Sequence, residues 1–136
     1  MKSLHWIGNS LKKLKEFPEE ARKEVGFALY LAQMGDKAIN AVPLVGFGSA
    51  KVLEILIDES GNSFRAVYTV KFEEAVYTLH AFQKKSKRGI ETSKADICLI
   101  RSRLKMAEAH YKEHYMGVGR KDQANGTDSG YRRRSD

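Results

Sequence analysis

The chain has 136 residues, a hydrophobic fraction of 42%, a charged fraction of 30% and a formal net charge of +7, values that suit one globular domain with a basic surface. No apolar run approaches the ~18 residues of a membrane span, and MKSLHWIGNSLKK at the N-terminus has no continuous apolar signal core. A single cysteine, Cys98, excludes an intrachain disulfide and fits a reducing cytosol, while the charge points to a polyanionic partner, either nucleic acid or a membrane surface.

Residues 3–7 (SLHWI) read as a short strand and residues 10–16, with Leu11 and Leu14 three apart, as one or two helical turns. Pro18 falls where a second helix begins, with Glu19 and Glu20 in its first turn. That helix is expected to run to about Met34 and stop at Gly35, burying Val25, Ala28, Leu29 and Ala32, with Phe27 and Leu31 widening the buried stripe. Residues 36–50 carry Pro43, Gly46 and Gly48 and read as loop. Their GxG lacks the third glycine and the strand-to-helix context of a dinucleotide fingerprint.

Residues 51–58 (KVLEILID) predict a strand, 59–62 a turn, and 64–72 and 75–83 two further strands. Thr92 or Ser93 is a helix cap with Asp96 in the first turn. The helix it opens runs to about His114 and repeats Ile97, Ile100, Leu104, Ala107 and Tyr111 at three- and four-residue spacing. From Gly117 the chain is rich in Gly, Asp, Ser and Arg and poor in aliphatics, so residues 117–136 read as a flexible basic tail. The fold class is therefore α+β over residues 1–116, a small antiparallel sheet with an N-terminal helix pair and a C-terminal helix, the helices on one sheet face.

Strand register decides which side chains meet. A two-residue turn at Glu73-Glu74 pairs Phe72 with Ala75 and sets Arg65 opposite Phe82, Val67 opposite His80 and Thr69 opposite Thr78. Ala66, Tyr68, Val70, Tyr77, Leu79 and Ala81 then form the other, core face. In the preceding hairpin Asp58 meets Ser63, Leu56 meets Arg65 and Glu54 meets Val67, so Glu54 joins the Arg65 face. Glu54, Arg65 and His80 thus gather on one face, with Lys84, Lys85 and Lys87 at its end.

That set has the chemistry of RNA transesterification. Histidine moves protons near neutral pH, arginine offers a planar fork to phosphate oxygens, lysines hold neighbouring phosphates, and Glu54 steers Arg65 or His80 or acts as the base. Other readings stay open: Glu54 and Arg65 as a cross-strand ion pair, the lysines as a solvated loop, and Phe82 as a base-stacking ring or as core edge. His110 and His114 have a spacing that can grip zinc, but no HExxH motif accompanies them and Cys98 lies about three turns away, so no metal site is assigned.

The strand, helical pair, GxG loop, VLEI strand, FRAVY strand, LHAFQKKS strand and final helix resemble the RelE/HigB-like toxin superfamily, and most of all its phage-derived HigB-like branch. The likeness covers residues 3–115, its most specific part being LHAFQKK after an RxxY strand. It implies the toxin of a type II toxin–antitoxin pair, an endoribonuclease that cuts mRNA without metal or other cofactor, often on the ribosome, and partners a helix-turn-helix antitoxin in the cytoplasm. It further implies that Arg65 stabilises the phosphate, His80 is acid or base, and Lys84 and Lys85 bind RNA. The C-terminal catalytic tyrosine of the RelE pattern has no clear counterpart, since Tyr111 and Tyr115 fall on the last helix. ParE-like relatives poison gyrase and cut nothing, so a non-enzymatic toxin and a non-catalytic RNA-binding module remain alternatives.

Overall fold

A computed structural model describes residues 1–84 and 91–116. Among them are strands β1 (Ser3–Trp6), β2 (Ala41–Pro43), β3 (Val52–Glu59), β4 (Asn62–Thr69) and β5 (Ala75–Lys84), and helices α1 (Ser10–Lys15), α2 (Glu19–Gln33) and α3 (Lys94–Tyr115). The strands form one sheet in the order β1-β5-β4-β3-β2. The α+β class with its N-terminal helix pair and C-terminal helix is as expected, with two corrections. β1 lies parallel to β5, so the sheet is mixed and not wholly antiparallel, and the helices cover both sheet faces, not one.

Two hydrophobic clusters record that layering. One joins Val25, Ala28 and Leu29 of α2 to Ile55, Ile57, Ala66 and Tyr68; the other joins Ile100, Leu104 and Ala107 of α3 to Val67, Tyr77 and Leu79. The central strands can be buried on both faces because both are apolar: β5 is buried at every position from Ala75 to Ala81. Each large side chain so buried contributes roughly 1.5–3 kcal/mol.

The β3–β4 hairpin turns at Ser60-Gly61, where φ of 52° and 83° gives the two positive values that a type I′ turn requires. Its register sets Leu56 against Arg65 and Glu54 against Val67, as expected. In the next pair Arg65 faces Phe82 and Val67 faces His80, also as expected, but the register then slips so that Tyr68 faces Thr78 and Thr69 faces Tyr77. The strands part at Thr69 and Ala75, so the connection is longer than the Glu73-Glu74 turn read from the sequence. The irregularity is a β-bulge, in which two residues of one strand oppose one of the other. It brings Leu79 and Tyr77 onto the Val67 face, correcting the placement of both beside Tyr68.

α2 begins one residue later than expected: Pro18 is its N-cap and Glu19 and Glu20 form the first turn. Gly35, with φ of 89°, ends it through a bond from its N–H to the Ala32 carbonyl. Val25, Ala28, Leu29 and Ala32 are buried, whereas Phe27 is 61% exposed, because its position points away from the stripe that meets the sheet. Residues 36–50 are less irregular than expected. They contain β2, which adds to β3 with Ala41 against Ile55, and a 3₁₀ turn at Gly48–Ala50. Ser93 caps α3, accepting a hydrogen bond from the Asp96 N–H. Among the described residues no helix is long and apolar enough to cross a membrane. The tail read at residues 117–136 lies outside the described residues.

Candidate active site

Glu54 on β3 and Arg65 on β4 come together on the face that α3 covers. Arg65 Nη1 is 3.4 Å from Glu54 Oε1, and Thr92 Oγ1 donates to Glu54 Oε2 at 2.7 Å. Both charges are buried, at 4% and 7% exposure. Arg65 Nε and Nη1 have no hydrogen-bond partner among the described residues. A buried donor left unpaired costs roughly 1–3 kcal/mol, and an active site is one of the places where such a cost is kept. The pair lies on the floor of a cavity of about 490 Å³ whose lining includes Val42, Leu44, Leu56, Thr92 and Ile97.

His80 is on the same sheet face but does not line that cavity. Its Nε2 is 2.8 Å from Asp96 Oδ1, its ring stacks on Phe82 at 4.6 Å, and it is 5% exposed. Burial pushes its pKa below the ordinary imidazole value; the hydrogen bond and charge of Asp96 oppose that shift, while Arg103 and Lys13 reinforce it. Burial therefore favours the neutral form. With Nε2–H donating to Asp96 Oδ1, the Nδ1 lone pair is left without a partner among the described residues, the preparation a general base needs. Asp96 is itself fixed, because Ser93 Oγ donates to its Oδ2 at 2.7 Å.

The remaining residues read from the sequence divide. Lys84 Nζ donates to the Glu91 carbonyl, tying the end of β5 to the segment that enters α3. Phe82 packs at the edge of the α3 core as well as on His80. Lys85 and Lys87 lie outside the described residues. Tyr111 and Tyr115 belong to the opposite end of α3, stacked on one another and packed against Phe72 and His5.

Two site residues were not assigned a role from the sequence. Asp96 was read only as a first-turn acid, and Thr92 only as a possible cap. The S-x-x-D spacing of a capped helix start was legible, but not that it would be placed over Glu54 and His80. Among the described residues no group of three or more His, Cys, Asp or Glu is arranged to hold a metal ion.

Comparison with known proteins agrees with this architecture. The model of the family described as "Phage derived protein Gp49-like (DUF891)" matches residues 12–105. The crystal structure of the isolated E. coli RelE toxin superposes with a TM-score of 0.50 at 16% identity, over 75% of this chain and 98% of that one. No curated protein has a significantly similar sequence. The resemblance to RelE/HigB-like proteins read from the sequence is thus borne out at the level of family and fold.

Proposed function

The chain belongs to the phage-derived Gp49-like family and has a RelE-like fold, and on that premise we propose that it is the toxin of a type II toxin–antitoxin system that cleaves mRNA. Arg65 holds the scissile phosphate. The neutral His80 imidazole, oriented by Asp96, takes the proton of the ribose 2′-OH. The 2′ oxygen bonds to phosphorus as the bond to the 5′ oxygen breaks, and the 5′ oxygen leaves as a hydroxyl on taking a proton from water. The products are a 2′,3′-cyclic phosphate and a 5′-hydroxyl end, and no metal takes part. Glu54 and Thr92 position Arg65, and Lys84, Lys85 and Lys87 hold flanking phosphates. The substrate is mRNA on the ribosome in the cytoplasm, and a helix-turn-helix antitoxin neutralises the protein.

The observation that carries this reading is the buried Arg65 guanidinium, with two donors unused among the described residues, lining a cavity on the sheet face that also carries His80, against which α3 sets Asp96. A fork of that kind is suited to an anion with several oxygens. The direct test is expression of the wild type, Arg65→Ala and His80→Ala in cells, scoring growth and transcript integrity. Growth arrest with transcript cleavage in the wild type, lost in both variants, is expected. Arrest with intact transcripts and DNA-damage signalling would replace the reading with a toxin acting on gyrase. Salt-sensitive RNA binding without toxicity or cleavage would replace it with a binding module.

A further inference from the structure

Among the described residues the cavity beside Arg65 has no second cation in its lining. Besides Arg65, the polar residues of its lining among those described are Thr92, Glu54 and Glu91. Its walls are apolar, Val42 and Leu44 on the β2 side and Ile97 on the α3 side, with Leu56 beside Glu54 on the floor. Val42 is 36% exposed and Val45, at the same rim, is 88% exposed, so apolar surface is left in water at the mouth. About 490 Å³ is within the range of small-molecule sites, which pair apolar walls with a few convergent polar groups.

An ionised carboxylate has about four acceptor positions. Thr92 uses one on Glu54 Oε2, and Arg65 Nη1 stands 3.4 Å from Oε1 without completing a hydrogen bond. Among the described residues Glu54 therefore retains acceptor capacity at the bottom of an apolar slot. A flat aromatic ring with two adjacent N–H donors on one edge satisfies both features, and among the RNA bases guanine presents that edge, N1–H beside the 2-amino group. We propose that this slot is a guanine subsite for the nucleotide next to the cleaved phosphate, with Glu54 accepting from N1–H and N2–H and the apolar walls enclosing the ring. The assignment rests on the reading of the protein as an RNA-cleaving toxin. It gives Arg65 the phosphate and Glu54 the base, so the ion pair marks the boundary between the two.

The test uses the full-length protein with labelled methyl groups, titrated separately with the 3′-monophosphates of guanosine, inosine, adenosine, cytidine and uridine. Shifts at Val42, Leu44, Leu56 and Ile97 are expected to saturate with guanosine first. Inosine, which keeps N1–H and lacks the 2-amino group, should bind about tenfold more weakly, and the other three more weakly still. Leu44→Trp narrows the slot from its β2 side and should abolish the shifts at Val42, Leu56 and Ile97. Equal affinity for all five nucleotides, or shifts confined to other parts of the protein, overturns the subsite. RNA cleavage without base preference and without slot shifts removes the subsite and leaves the cleavage reading standing. Guanosine-selective slot shifts in a protein that cuts no RNA support the subsite and remove the cleavage reading.

Discussion

At its C-terminal end α3 is fastened by ring side chains that bond to one another. His5 Nε2 lies 2.7 Å from the Tyr115 hydroxyl, Tyr77 bonds His110 Nδ1 at 2.6 Å, and His110 stacks on His114 at 4.3 Å. At its N-terminal end the same helix covers Arg65 and His80, and there Arg65 Nε and Nη1 and His80 Nδ1 lack hydrogen-bond partners among the described residues. Both ends bury polar groups, but at one they bond and stack to hold a helix on a sheet, and at the other Arg65 borders a cavity. Unpaired buried groups lower stability, which makes the N-terminal end of α3 the candidate for chemistry.

The comparison breaks most sharply at the Glu54–Arg65 pair. Arg65→Met alone strands a buried carboxylate and should cost roughly 3–5 kcal/mol, whereas Arg65→Met with Glu54→Leu should be near neutral or stabilising. Urea denaturation distinguishes the two. Both variants should lose about 100-fold or more of RNA cleavage, the scale of removing one transition-state donor. A stable double variant that still cleaves RNA would make the pair as structural as the cluster at the other end.

The second test addresses that cluster. Burial, with His114 and His5 alongside, holds His110 down at a pKa of about 4, below the ordinary imidazole value of about 6.5. The folded state thus prefers neutral His110 and the unfolded chain binds the proton more readily. The stabilisation is fully present above pH 6.5 and is lost as pH falls from 6.5 towards 4. After allowance for solvent screening at the cluster's edge, the loss should be on the order of 2 kcal/mol. Unfolding midpoints at pH 7 and pH 4.5 measure it, and His110→Gln should flatten the slope.

Much of this contrast could be read from the sequence at the Arg65 end and little at the other. Glu54, Arg65 and His80 fell on one face because alternation and two turn signals set a register that holds from Leu56 to Val67 and from Val67 to His80. Beyond Val67 the bulge defeats alternation, since one extra residue reverses the facing of everything that follows, and so Tyr77 and Leu79 were placed on the wrong side. His110 and His114 carried a visible four-residue spacing, but their partners His5 and Tyr77 come from strands far away in the chain. Local pattern holds no record of a contact across 105 residues, as between His5 and His110. The same limit hid Asp96, whose role depends on where the capped helix lands.

Asp96→Asn gives a smaller effect, read in the pH–rate profile. With His80 as the proposed base, its neutral form is the reactive one, so activity should be full above its pKa and fall as pH drops through it. Burial already lowers that pKa, and Asp96 is the main influence raising it. Removing the carboxylate charge should move the acid limb of kcat/KM to lower pH while reducing the plateau about tenfold through poorer orientation of the ring. A limb that stays in place would mean that His80 is not the titrating base, and only Arg65 and Glu54 would remain at the N-terminal end of α3.

The smallest effect separates helix capping from site positioning. Ser93 Oγ accepts from the Asp96 N–H at 3.1 Å and donates to Asp96 Oδ2 at 2.7 Å, so one hydroxyl both starts α3 and sets Asp96. Ser93→Ala should cost about 1 kcal/mol, a fall of roughly 4 °C in Tm, with a severalfold drop in kcat and little change in KM. Ser93→Asp keeps an acceptor that caps as well as serine, but once ionised it has no proton to give to Asp96 Oδ2. It should therefore recover most of the stability and none of the kcat. If stability and kcat return together, the N-terminal end of α3 needs only a well-formed helix, as the C-terminal end does. If they separate, the hydroxyl acts on His80 through Asp96, and the difference between the two ends extends to a single proton.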